Sequence, residues 1–283
     1  MRANEHPDDM KSDYTCEQHP ENYTEQDHTM WRELFNRQSK LLVNRACDEY
    51  LKSLPALGVT AEGIPDFRRM SEILEKTTGW RIVTVPGLIP GSAFHAHLAK
   101  RQFPVTYWIR SREQIDYLAE PDIFHDLFGH VPMLMNPVFA DYMQEFGKGG
   151  VKATSLKAIR FLDRLYWYTV EFGLIKTPDG LRIYGSGIVS SKTESIYCLE
   201  DARPHRLGFD LKRAMRTHYR YDKLQETYFV IENFEQLFEA TRPDFAPIYE
   251  EVRNLGDVEP YLTLPGDKIF SRGTVADEKL GSQ

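Results

Sequence analysis

The chain has 283 residues, 41% hydrophobic and 12% aromatic, which is enough to bury one substantial core and excludes a collagen-like, disulfide-stapled or wholly disordered chain. Its formal charge of -7 is concentrated at one end, since residues 1–28 hold eight acids against two bases; the remainder is close to neutral, and a strongly basic nucleic-acid surface is excluded. Cys16, Cys47 and Cys198 are odd in number, far apart and without a C-x-x-C pair, which argues against a disulfide framework or a cysteine zinc site and for a reducing compartment.

In chain order, residues 1–28 combine low hydrophobicity with acidity and read as a mobile tail, in which His6, His19 and His28 have no regular ligand spacing. They contain no apolar stretch of a signal peptide, and no apolar run anywhere reaches the roughly 18 residues of a membrane span. A cytoplasmic protein without membrane contact is expected. Residues 29–54 place Trp31, Leu34, Phe35, Leu41, Leu42, Ala46 and Leu51 near helical spacing, predicting one amphipathic helix that ends at Leu57-Gly58-Val59. A second helix is predicted over 66–77 with Asp66 as its N-cap. Strands are predicted in WRIVTVPGLIP, from Trp80 into a Pro/Gly loop, and in FPVTYWIR, from Phe103 to Arg110, with a short helix SAFHAHLAKR between them. Residues 120–131 begin a helix with Pro121 near its first turn. NPVFADYMQEFGKG and SLKAIRFLDRLYWYTVEFGLI follow as helices, then a Gly/Ser-rich loop and helix start in YGSGIVSSKTESIYCL. FDLKRAMRTHYR, a short strand TYFVIE and FEQLFEATRPDFAPIYEEVRN complete the ordered part. With no repeat or linker to divide it, residues 29–255 are expected to form one mainly α domain with a few short strands, followed by a loosely attached segment, 256–283.

The densest chemistry lies in EPDIFHDLFGHVP, which sets His125 and His130 five positions apart among Phe124, Leu127 and Phe128. On a regular helix such positions lie about 140° apart, so the helix is expected to end just before His130, at Gly129, letting the second imidazole turn back toward the first. A lone buried histidine is usually a hydrogen-bonded core residue; a pair at this spacing is a candidate metal site. Glu171, in LYWYTVEFGL, shares a helix face with Trp167 and Leu174, and burying an ionised glutamate costs several kcal/mol unless it meets a cation. Arg164 and Arg160 share its stripe two and three turns away but cannot reach it, which leaves a metal as the stronger partner. Two neutral imidazoles and one carboxylate leave half of an octahedron open, an arrangement suited to oxygen-activating non-haem Fe(II).

EPDIFHDLFGHVP, YWYTVEFGL and YGSGIVSSKTESIYCL, in that order and at those separations, with FPVTYWIR and DFAPIY, resemble the aromatic amino acid hydroxylases over roughly residues 30–250. The similarity is greatest to the short bacterial branch that acts on phenylalanine. It implies a single catalytic domain of that type, in which Fe(II), tetrahydrobiopterin or a related tetrahydropterin, and O2 convert L-phenylalanine to L-tyrosine and a 4a-hydroxytetrahydropterin. Matched motif by motif, the resemblance puts the iron ligands on His125, His130 and Glu171. It gives Arg110 the grip on the substrate carboxylate and Asp122 its orientation, makes Pro121 and Trp167 walls of the ring pocket, and sets Ser190 between substrate and ligands. In PGLIPGSAF it assigns Gly87, Leu88, Gly91 and Phe94 to the pterin, with Phe94 stacking on its ring. Asp126 stands where animal members have glutamate, so its shorter reach toward pterin or metal-bound water is a departure, as is Leu118 in place of a threonine. Read without the resemblance, Arg110 is a surface ion pair, Ser190 a loop serine bonding its own backbone and Phe94 a core residue.

Three other readings use the same residues: a relative acting on tryptophan or tyrosine, a zinc hydrolase with a metal-bound hydroxide, and a non-catalytic metal-binding protein. The animal tyrosine and tryptophan enzymes carry regulatory and tetramerisation segments for which this chain has no sequence pattern. A monomer is therefore expected, with a dimer through an apolar helix face as the alternative.

Overall fold

A computed structural model describes residues 7–280 except Tyr117 and Ala119. Helices dominate, as expected, and the strands fall into two groups. β1 (Arg81–Val85) and β2 (Gln102–Thr106) form a parallel pair, whereas β3 (Leu174–Thr177), β4 (Gly180–Ile183), β5 (His205–Gly208), β6 (Thr227–Ile231) and β7 (Ile269–Ser271) form a sheet in the order β4-β3-β6-β5-β7. Only β6 of this sheet was expected. The other four strands have four residues or fewer, too short for alternation of buried and exposed positions to register. FPVTYWIR likewise stops being strand at Thr106.

The single helix expected over 29–54 is two, Glu25–Leu41 and Asp48–Ala56. Ala46 between them bridges to Ile183, and the Cys47 N–H donates to the Ile183 carbonyl at 2.9 Å; pairing with β4 replaces helical continuity while both helices keep their apolar faces inward. The first helix starts earlier than expected because Thr24 and Asp27 form a reciprocal capping box. Asp66 caps the helix Phe67–Thr78 as expected, accepting from the Arg68 N–H at 2.8 Å. The helix Gly91–Ala99, which carries Phe94, lies directly on Pro137–Ser155. A Cβ at Gly147 would come 2.6 Å from that of Leu98, so only glycine permits this approach, which sets Phe94 and Phe146 on one cavity.

Both terminal segments are more engaged than composition suggested. Cys16 is buried and its N–H donates to the Thr84 carbonyl at 3.0 Å, the Gln18 side chain accepts from Phe67 N at 2.8 Å, and His97 Nε2 lies 2.9 Å from the Asp13 carbonyl. Residues 7–23 thus run along β1 and the helix Phe67–Thr78 through backbone and polar side-chain bonds that use few apolar side chains, leaving most of their acids outward. Residues 256–280 are likewise docked, not loose. Ile269–Ser271 adds the edge strand to β5, Val258 is buried, and the Asp267 carboxylate meets the buried Arg213 at 3.2 Å.

Buried Glu194, on the helix Lys192–Glu200, accepts from Tyr228 Oη at 2.5 Å and from the Gln225 N–H at 3.2 Å. Burial pushes its carboxyl from the ordinary 4.5 up to about 7, the two hydrogen bonds only partly opposing. The native state therefore holds this proton more tightly than the unfolded chain. Stability from the group is full below about pH 4.5, falls as the pH rises and is lost above about pH 7, a swing of order 3 kcal/mol. Urea denaturation at several pH values is expected to show Glu194→Gln with a flatter profile than the parent across this window; an unchanged slope contradicts the assignment.

Candidate functional site

The helices bearing the candidate ligands depart from α geometry where the ligands sit. Phe124–His130 and Trp167–Glu171 are both π-helical. A π-helix bonds each N–H to the carbonyl five residues back, so positions i and i+5 come onto one side. The helix end expected before His130 is absent; the wider turn brings the imidazoles together, and the chain runs on into the 3-10 turn Val131–Met135. The two Nε2 atoms lie 3.2 Å apart with ring planes at 81°. Glu171 reaches both, Oε1 at 3.1 Å from His130 Nε2 and Oε2 at 3.7 Å from His125 Nε2. Within the described residues these three form the one group of His, Cys, Asp or Glu whose donor atoms all lie close enough to hold a metal, inside 4.8 Å.

The donor set fits a divalent cation. Arg164 is occupied by Asp257 at 2.8 and 3.0 Å, so the carboxylate on this face has no guanidinium partner there. Burial would raise Glu171, but His130, His125 and the Ser186 hydroxyl outweigh it and hold its carboxyl down at about 2. Burial lowers His125 to about 4 despite the opposing pull of Glu171. At neutral pH that imidazole is uncharged, as a ligand must be.

Hydrogen bonding also fixes the His125 tautomer. The Ser190 hydroxyl has one proton, which it donates to the Ser186 carbonyl at 2.7 Å; it can then only accept from His125 Nδ1, 3.0 Å away. Nδ1 carries the hydrogen and the Nε2 lone pair points at Glu171 and His130. His130 is oriented by rings instead, with Phe103 at 5.1 Å and Tyr166 at 6.2 Å. Ser190→Ala is expected to weaken metal binding by about 10- to 100-fold while the protein stays folded. Chelator competition measures this, and unchanged affinity refutes a role for the serine in orienting the ligand.

Ser186 was not singled out in the sequence. Its hydroxyl lies 2.9 Å from Glu171 Oε2 and 3.0 Å from the Val170 carbonyl. The available signal was its position one helical turn before Ser190. Neighbouring Gly185 is dictated by space, since a Cβ there would fall 2.5 Å from the Glu171 carbonyl oxygen.

These donors form the floor of a cavity of about 350 Å³, within the usual range for small-molecule sites. Gly87, Leu88, Phe94, Pro121, Asp126 and Trp167 all line it. Arg110, Asp122 and Ser190 are not among its described lining residues. The first two form a buried pair beside it: Arg110 Nε and Nη2 each reach Asp122 at 2.8 Å, and Asp122 also accepts from the His125 N–H at 3.0 Å. Asp122 is thus positioned to orient the guanidinium. Leu118 packs away with Cys16, Tyr107 and Trp108. Asp126 accepts from the Thr106 N–H at 2.8 Å, yet burial still raises its carboxyl to about 7. Tyr166, Tyr219, Thr106 and Asp163, none predicted, also line it; they come from three separate stretches of chain that only the fold gathers.

Comparison with known proteins bears on this arrangement. The family profile described as biopterin-dependent aromatic amino acid hydroxylase matches residues 6–251. The chain is 58% identical over 265 residues to a phenylalanine-4-hydroxylase of Chromobacterium violaceum, covering 93% of this chain and 88% of that one. It is 57% identical over 265 residues to one of Ralstonia nicotianae, covering 94% and 85%. A cobalt-bound crystal structure of the C. violaceum phenylalanine hydroxylase superposes with a TM-score of 0.90 at 55% identity, over 94% of this chain and 95% of that one. A structure of that enzyme with oxidised Fe(III) gives 0.89 at 57% identity, over 91% and 94%.

Proposed function

Because the chain belongs to the biopterin-dependent aromatic amino acid hydroxylases, we propose that it is a phenylalanine 4-monooxygenase, converting L-phenylalanine, a tetrahydropterin and O2 to L-tyrosine and a 4a-hydroxytetrahydropterin. The observation that carries this reading is the convergence of His125, His130 and Glu171 at the floor of a cavity walled by Phe94 and Trp167. These three residues hold Fe(II). When bound, iron and tetrahydropterin together activate O2 and supply the oxidant for the para carbon of the substrate ring.

The protein's part is to bind, orient and keep water out. Phe94 offers its ring to the pterin, with Gly87 and Leu88 in the facing loop; the edge-on packing of Phe94 against Tyr166 at 5.7 Å supports a fixed ring plane. Pro121 and Trp167 border the phenylalanine ring. Arg110 supplies the fork for the substrate carboxylate, held by Asp122 so that its remaining N–H groups are directed and not free to wander. Ser190 keeps the proton on His125 Nδ1. Asp126, buried in the same cavity and held by the Thr106 N–H, keeps an acid at this position despite its shorter reach.

The enzyme works as a monomer in a reducing, cytoplasmic setting. Three buried free cysteines support the compartment, and within the described residues no helix is long and apolar enough to cross a membrane. The test is reconstitution with Fe(II) or zinc and an assay of pterin-dependent tyrosine formation, with tryptophan and tyrosine as competing substrates. Iron-dependent tyrosine formation with phenylalanine preferred is the expected result. A zinc-active hydrolase without pterin-dependent turnover, or preference for tryptophan, overturns the reading.

A further inference from the structure

Trp167 owes its orientation to a residue far from the motif that contains it. We propose that Gln225 is a positioning residue for the reaction: its side-chain amide fixes the Trp167 indole and thereby the wall of the substrate ring pocket. This rests on the phenylalanine reading of that pocket. Gln225 is 5% exposed and its amide is fully used. Oε1 accepts from Trp167 Nε1 at 2.8 Å, and Nε2 donates to the Arg220 and Lys223 carbonyls at 2.9 and 3.1 Å. Turning the amide over would set its NH2 against the indole N–H and its oxygen against two carbonyls, so the network admits one orientation. The backbone is held as well, through the Gln225 N–H to Glu194.

The consequence is local rigidity with a reach into the cavity. The segment 219–225 has no regular helix or strand, and Tyr221 projects from it 81% exposed; the two carbonyl bonds of Gln225 tie it down from inside. Tyr219, at the start of that segment, stacks on the indole at 4.4 Å and 19°, and both rings line the cavity. One amide therefore clamps the indole by its N–H and, through the segment it closes, by its face. Without it the indole keeps its packing on Phe172 but loses the bond that fixes its edge, and the substrate ring loses the definite distance to the iron that proximity requires. None of these contacts touches His125, His130 or Glu171, so metal retention is independent of the clamp.

The test is a double-mutant cycle on the iron-loaded enzyme with Gln225→Leu, Trp167→Phe and both together. Steady-state kinetics, tyrosine formed per pterin consumed, and calorimetric binding of L-phenylalanine are the readouts. Gln225→Leu is expected to lower kcat/KM for phenylalanine by roughly 10- to 100-fold, to weaken phenylalanine binding and to reduce the tyrosine yield per pterin, with iron content unchanged. Its effect should nearly vanish in the Trp167→Phe background, because the residue it acts through is already altered. Effects that multiply in the double variant overturn the proposal, as does Gln225→Leu with parental kinetics beside an impaired Trp167→Phe. Unaltered phenylalanine kinetics in Trp167→Phe instead remove the pocket-wall reading beneath it. Should the leucine variant not fold, the same cycle with Gln225→Met, which fills similar space and offers the indole no oxygen, decides by the same criterion.

Discussion

Glu171→Gln is expected to give a folded protein that retains little iron and forms almost no tyrosine. The carboxylate is the only anionic member of the proposed ligand set, and it sits 3.1 and 3.7 Å from the two imidazoles. Glutamine fills the same outline and can still accept from the Ser186 hydroxyl, so the fold has little reason to fail. What is lost is the charge that offsets the cation, and one of three protein donors becomes a neutral amide. Loss of tyrosine formation by on the order of 10²- to 10³-fold or more is expected, the scale on which removing one preorganised charge-stabilising group acts. Metal analysis after dialysis and the tyrosine assay check it together. Parental turnover with parental iron stoichiometry would falsify the ligand assignment.

Asp122→Ala is expected to be the most damaging substitution to stability near the site, at about 3–5 kcal/mol. Asp122 is fully buried and accepts four hydrogen bonds, from the Arg110 N–H, Nε and Nη2 and from the His125 N–H. Alanine leaves the guanidinium, only 7% exposed, charged and without its carboxylate, and frees the entry to the π-helix that carries His125. Burial by itself would raise the Asp122 carboxyl, but the Arg110 charge and the surrounding N–H donors outweigh it and hold it below the ordinary range. Its contribution is thus present above the unfolded carboxylate value and is lost as the pH falls through the folded one. Urea titrations should show the gap between parent and variant narrowing in acid. A weakened hold on phenylalanine should accompany the loss, since Arg110 would no longer be oriented; a stable variant with parental phenylalanine KM contradicts both parts.

The site was more legible in the sequence than the framework that assembles it. His125 and His130 stood out by their spacing and Glu171 because a buried carboxylate needs a cation; Arg164, engaged by Asp257, leaves Glu171 without that guanidinium. The mechanism of convergence was not legible. A helix end at Gly129 was the simplest way to bring i and i+5 together on α geometry, and no residue pattern announces a π-turn. Short strands escaped for a related reason: β5 and β7 are defined by partners far along the chain, and local periodicity contains no information about them. Composition misled at the ends, where residues 7–23 and 256–280 dock largely through backbone bonds and isolated polar contacts. Ser186 and Gln225 were invisible because their importance lies in what they orient.

The π-helical turn at His125 and His130 makes the site sensitive to backbone winding as well as to residue type. An α-helix sets positions five apart about 140° from each other, so His125 and His130 meet only on the wider turn; the same residues wound as an ordinary α-helix, with better internal bonding, would swing one imidazole off the common side. The chain can therefore gain helical order while losing its metal, with every ligand still present in the sequence.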